Sequence, residues 1–231
     1  SVSVADGTSS DSTVYQGEFA SDSTSYLAHG LYNMNTYYWR VDEKDTTGYI
    51  TKGKVWQFQP RQIAFPDAEG YGRFAIGGRG GKVVYVTNLN DSGEGSFRYA
   101  VENHSGPRTI LFAVSGLITL NSRLVIKDDR ITVAGQTAPG KGVCFRWAPI
   151  GVTGDDLIVQ HLRVRLGIGV TFDGMGLTGA DNSIIDHCSI SWTIDEAFSS
   201  RGGHNITLQR TLISEALNEA DHSNYGAGSR H

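Results

Sequence analysis

Cysteine, proline, methionine and long apolar runs are all scarce in this chain, and each scarcity removes a class of protein. Two cysteines among 231 residues, Cys144 and Cys188, cannot build a disulfide framework. By themselves they leave a single bridge, stacked thiols or separate thiols open. No apolar run reaches the roughly 18 residues that a membrane-spanning helix needs, so no membrane insertion is expected. Lysine and arginine (20) are outnumbered by aspartate and glutamate (24), for a net charge of −4. The positive charges are scattered, and no basic stripe argues for a nucleic-acid partner. No charged-then-apolar leader opens the chain. Amphipathic segments of about ten residues between strands are missing too, which excludes a doubly wound α/β fold.

What the chain does have is glycine, 29 residues of it, and short β-like units that recur. Ile158-Val159-Gln160-His161-Leu162-Arg163-Val164, Ile184-Ile185-Asp186-His187-Cys188-Ser189-Ile190 and Thr207-Leu208-Gln209-Arg210-Thr211-Leu212-Ile213 follow one another at steps of 26 and 23 residues. Ile131-Thr132-Val133 stands 27 residues before the first. Units spaced by about 20–30 residues and separated by glycine-rich turns indicate a solenoid, and the leucine and asparagine pattern of leucine-rich repeats is absent. A parallel β-helix over 61–231 is the fold predicted. His161, His187 and Arg210 occupy equivalent places and should stack as a ladder, with the histidines neutral and structural. One helix is expected near 96–103, with Ser96 as N-cap and Phe97, Ala100 and Val101 as its apolar face.

Residues 1–60 read differently. Aromatic and β-branched residues alternate through Tyr37–Val41, a turn follows at Asp45-Thr46-Thr47-Gly48, and a second strand ends near Phe58. This stretch resembles the closing strands of a fibronectin type III module. A complete module needs about 90–100 residues, so a partial β-sandwich or a small independent β-cap is expected here. The glycine cluster at 77–82 fails as a phosphate loop, because Ile76 and Val83 stand where that motif needs glycine and a hydroxyl. A tight backbone passage under the helix is expected instead.

The most telling segment is 172–192, FDGMGLTGADNSIIDHCSISW. Asp173, Gly179 and Ile185-Asp186-His187-Cys188 resemble in register a motif of the pectate lyase family of right-handed parallel β-helix enzymes. A second resemblance runs through Phe65-Pro66, Ala68-Glu69-Gly70-Tyr71-Gly72, Gly78-Arg79-Gly80-Gly81 and 95–101, and the two together cover roughly 63–231. The resemblance implies a secreted polysaccharide lyase acting on an acidic polymer such as polygalacturonate. It implies calcium as cofactor, held by Asp173 and by acids that follow the Ile-Asp-His-Cys strand. Hard oxygen ligands suit that ion. It also implies a helix at 96–103 that covers the first coil, and a supporting role for Asp186 and His187, taken as a partly buried mid-strand pair.

In the family two acids spaced about four apart follow that strand. Here Asp195 and Glu196 are adjacent, and Ser199 occupies the fourth place. Neighbours on a strand face opposite ways, so one of the two is the expected ligand unless a bend intervenes. Arg163 and Arg165 share one strand face. Binding of uronate carboxylates and a solvated pair countering Asp155 and Asp156 both remain open. The family's base, an arginine, would fall in a coil after residue 231, since the tail 221–231 resembles the loop before it. The catalytic residue is therefore unassigned, and open β edges suggest self-association. Two other readings compete: a non-catalytic polysaccharide-binding or assembly β-helix, and a glycosidase using Asp173 with Asp195, which the Ile-Asp-His-Cys register disfavours.

Overall fold

A computed structural model describes residues 2–6, 13–20, 22–29, 31, 35–168, 172–218 and 222. The chain divides into two compact units, 1–62 and 63–231. Apart from His222, the tail loop expected at 221–231 lies outside the described residues.

In the first unit, Thr13–Gly17, Val2–Asp6, Tyr37–Val41 and Trp56–Phe58 pair antiparallel in that spatial order. The predicted turn is there. Asp45 accepts from the backbone N–H groups of Thr47 (2.8 Å) and Tyr49 (2.9 Å), and Gly48 supplies the left-handed φ of 88°. It joins the short strands Glu43–Lys44 and Ile50–Thr51. The strand ending at Phe58 comes later and returns to pair with Tyr37–Trp39.

The second unit is a parallel β-helix. Its first sheet stacks Lys82–Val86, Arg108–Phe112, Ile131–Ala134, Ile158–Gln160, Asp181–Asp186 and His204–Gln209 in chain order. The second sheet stacks Gly116–Thr119, Val143–Arg146, Arg163–Arg165, Ser189–Ser191 and Leu212–Ser214. Leu124–Ile126, Ile150–Val152, Met175–Thr178 and Phe198–Arg201 form the third. Alternation along each strand sends one apolar row inward, and Ile110, Ile118, Ile126, Val133, Phe145, Val152, Val159, Val164, Leu177 and Ile190 fill the bore. Chain entry into the first sheet passes through Arg130, Asp156, Asn182 and Asn205, all left-handed at φ 49–60°. His161, His187 and Arg210 make the exit corner at φ 47–54°.

Two expectations need correction. Thr132, not Ile131, pairs with Ile158, so that repeat step is 26 residues. Ile131 points into the bore, while Ile158 and Ile184 point outward beneath Ala64, Ala68 and Ala75. With apolar residues on both faces, the register is one residue ambiguous by sequence. The glycine cluster, in turn, passes over the outside of the first sheet. Side-chain atoms at Gly78 and Gly81 would collide with the backbone of Arg108 and Pro107, and the Gly78 N–H donates to Thr132 Oγ1 (2.9 Å).

The helix forms as read, over Phe97–Glu102, with Ser96 Oγ accepting from Tyr99 N (3.1 Å) and with Phe97, Ala100 and Val101 buried. Phe97 packs on Phe112 and Phe145 at 5.5 and 4.9 Å between ring centres. Its carbonyl end is held by Arg108, only 1% exposed, which donates to Ala100 O (3.0 Å) and Val101 O (2.6 Å) and pairs with Asp128 (2.7 Å). A cation at the negative end of a helix is favourable, and here it also satisfies carbonyls that a six-residue helix leaves open. Asp128 is 39% exposed, so the main loss on removing Arg108 is the donors to two buried helix carbonyls, at about 1–3 kcal/mol. Arg108→Ala should therefore lower the unfolding free energy measured by urea titration by that order. A variant as stable as the parent would contradict this role.

Candidate active site

Asp173 precedes the strand Met175–Thr178, and Asp195 and Glu196 precede Phe198–Arg201 on the next coil. Met175 pairs with Phe198, so counting back two residues sets Asp173 beside Glu196. The Gly174 N–H donates to Glu196 O (2.9 Å), and a side chain at Gly174 would strike Ile190, Thr193 and Ala197. Glycine there lets the two turns lie against each other. The chain bends at Ile194 and Asp195, which breaks strand alternation and turns both adjacent acids to the same side. One oxygen from each of Asp173, Asp195 and Glu196 lies within 4.8 Å of the others. A bend was the one condition under which both acids could face Asp173, and both side chains do lie close to it.

Oxygens bound about 2.4 Å from one calcium lie at most about 4.8 Å apart, so the donor set fits a hard divalent cation. Ser199, at the place where the family pattern has an acid, donates its hydroxyl to Asp173 Oδ2. His222 Nε2, from a nearly buried ring, stands 3.4 Å from Asp195 Oδ2. Neither neighbour was singled out by sequence. Ser199 was seen only as a missing acid, and His222 lies far along the chain in a segment without strand pattern.

Asp186 ends its strand and is 1% exposed, whereas His187 leaves the sheet at the left-handed corner and is exposed. The mid-strand placement expected for the pair is therefore wrong for the histidine, because that corner needs a residue with positive φ. Asp186 Oδ2 accepts from Gln160 Nε2 (3.1 Å) and lies 2.8 Å from His187 Nδ1, and Oδ1 accepts from Gln209 Nε2 (2.8 Å). Arg210 stands 3.9 Å away. The rings of His161 and His187 stack 4.7 Å apart at 9°. These atoms also lie close enough for an ion, but a metal sits in the plane of each imidazole it binds, and parallel planes cannot share one. A satisfied structural network is what the geometry supports.

Arg163 and Arg165 flank the buried Val164 and face outward on the second sheet. Asp155 and Asp156 accept from the backbone N–H groups of Asp181 (2.8 Å) and Ile76 (3.3 Å), and among the described residues no ion pair joins either acid to Arg163 or Arg165. Cys144 and Cys188 are free thiols, and burial pushes Cys188 up to about 12.

Over 161 residues the chain is 47% identical to a probable pectate lyase C of Emericella nidulans, covering 67% of this chain and 37% of that protein. It is 43% identical over 178 residues to a probable pectate lyase C of Aspergillus flavus, covering 74% and 41%. The chain belongs to the pectate lyase family. It spans about two fifths of the length of these relatives. No family profile matches it. A crystal structure of Jun a 1, the major allergen from cedar pollen, aligns with a TM-score of 0.47 at 21% identity, covering 60% of this chain and 46% of that one.

Two groups link the Asp186 column to pH. Burial raises the Asp186 pKa, but the hydrogen bonds from His187, Gln209 and Gln160 outweigh it and leave the carboxyl below its ordinary 3.8. Burial, and then the neighbouring His187, hold His161 below its ordinary 6.5. The Asp186 contribution is present above about pH 4 and lost as pH falls through the lowered folded value. His161 binds its proton more readily when unfolded, so stability also declines as pH drops below about 6.5. Denaturant midpoints measured from pH 7 to 3 should fall in both windows. Asp186→Asn should remove the lower step, and His161→Gln the upper.

Proposed function

We propose that this family member takes part in calcium-dependent β-elimination of a uronic acid polymer such as polygalacturonate, outside the cell. The observation that carries the reading is the convergence of Asp173, Asp195 and Glu196 on one side of two stacked coils. Three carboxylates pressed together repel one another, and a divalent cation relieves that repulsion. The names of the fungal relatives support the substrate class.

In this reading Asp173, Asp195 and Glu196 hold calcium, with Ser199 orienting Asp173 and His222 steadying Asp195. Bound there, calcium would supply a Lewis acid for the substrate carboxylate. The reaction itself removes the proton on the carbon next to that carboxylate, breaks the bond from C4 to the glycosidic oxygen, and leaves a 4,5-unsaturated sugar. Arg163 and Arg165 are assigned to substrate carboxylates, whose geometry a guanidinium fork matches. The first unit is assigned as a fibronectin type III-like spacer, a reading favoured by its antiparallel sheet.

Two measurements test this. A ligand bound only by the folded state at about 100 times its Kd stabilises by about 2.7 kcal/mol, so calcium should raise the melting temperature over chelator. Asp173→Asn should abolish the shift, and no shift in the parent would count against the metal assignment. With polygalacturonate, a polypeptide carrying these residues together with the arginine base that the family resemblance implies should form ultraviolet-absorbing unsaturated product with calcium and none with chelator. Folded protein that binds polymer and never forms product would favour the non-catalytic binding reading.

A further inference from the structure

The outer face of the second sheet carries positive charge that no carboxylate of the described residues pairs with. Arg146 pairs in register with Arg165, and Cys144 with Arg163, while Phe145 and Val164 between them point into the bore. All three guanidinium groups lie around the Cys144 thiol, where their charge opposes the upward pull of burial on it. Their hydrogen bonds go to neutral oxygens. Arg146 Nε donates to Thr119 Oγ1 (2.9 Å), Arg163 to Lys141 O, and Arg165 to the carbonyls of Val164 and Ser189 (2.9 Å each) and to Ser189 Oγ (2.7 Å). Among the described residues none of the three makes an ion pair. In a chain of net charge −4, three oriented guanidinium groups without carboxylates present a complement to external anions.

Two indoles border this strip. Trp147 and Trp192 follow their strands at left-handed φ values of 78° and 60°, uncommon for bulky residues, and are 48% and 47% exposed. Trp147 N donates to Leu166 O and Gly167 N to Trp192 O, both at 2.9 Å, so one coil lies between the two. Leu166 is buried in that coil, and a Cβ at Gly167 would meet nothing within 4 Å. With strands about 4.8 Å apart, the backbones of the two tryptophans stand about 10 Å apart. The Arg165 guanidinium lies 5.9 Å from the Trp192 ring, whose Nε1 donates to Glu215 (3.1 Å). An exposed indole offers a flat apolar face to the C–H face of a sugar while keeping a polar edge.

We propose that Arg146, Arg163, Arg165, Trp147 and Trp192 form a metal-independent docking surface for an acidic polysaccharide, with carboxylates on the guanidinium groups and sugar rings over the indoles. The substrate class rests on the function proposed above. The segment 192–196 begins at Trp192 and ends at the carboxylate cluster, so a chain held on this face can continue to that cluster.

Retention on immobilised polygalacturonate in the presence of chelator tests it, because calcium then plays no part. The parent chain should be retained, and retention should weaken with salt and vanish on the fully methyl-esterified polymer. Losing one charge-assisted contact is worth about tenfold in affinity. Arg146→Gln with Arg165→Gln should therefore cost about a hundredfold, and Trp147→Ala about tenfold, with far-ultraviolet circular dichroism checking the fold. Arg146→Lys should restore part of the loss, and Lys127→Gln, an exposed charge change elsewhere, should cost nothing. Unchanged retention of the double arginine variant would overturn the proposal, as would equal retention on DNA. A missing calcium-induced melting shift would leave this surface standing and refute only the metal site.

Discussion

Everything in the second unit follows from parallel strands stacked in register at about 4.8 Å. Each residue is set against the residue at the same place on the next coil, so side chains form columns. Apolar columns fill the bore, and polar ones must find a way to live with their own repetition. Gln160, Asp186 and Gln209 solve this by alternating amide and carboxylate, which lets the buried acid receive a hydrogen bond from each side. His161 and His187 solve it by stacking their rings face to face. At Asp173 and Glu196 the repetition is acid on acid, with Asp195 folded in by the bend.

The contrast between the two acidic places separates structure from chemistry. Asp186 is surrounded by donors, and its charge is already stabilised by hydrogen bonds that hold its pKa low. The Asp173 group has the Ser199 hydroxyl and the His222 ring for three carboxylates. In the function proposed here, an external cation would complete the balance at this more negative place. On the neighbouring face the imbalance is reversed, with three arginines that pair with no carboxylate among the described residues. Opposite unmet charges on joined surfaces suit a polymer that carries carboxylates and shares a metal.

Much of this was legible in the sequence because it is local. Ser96 with Phe97, Ala100 and Val101 specifies a capped amphipathic turn, and the recurrence from 158 to 184 to 207 follows the coil length directly. Asp173, Asp195 and Glu196 were candidates by residue type and motif. Long-range contacts were hidden. Arg108 looks like a surface charge until the helix 97–102 places its carbonyls above it. The outward Ile158 and Ile184 blurred the register because the covering segment 63–81 buries a second face, which a period-two pattern does not reveal. A bend at 194–195 decides where Glu196 points, and no single residue there announces it. The arginine strip emerges only when Val143–Arg146 and Arg163–Arg165 are seen side by side.

Anomalous X-ray scattering from crystals grown with calcium examines the central assignment most directly. A single strong peak bounded by the carboxylates of Asp173, Asp195 and Glu196, lost in crystals of Asp173→Asn, is the result expected. Fully ordered carboxylates with no peak between them at millimolar calcium, or a peak confined to other acids, would contradict it.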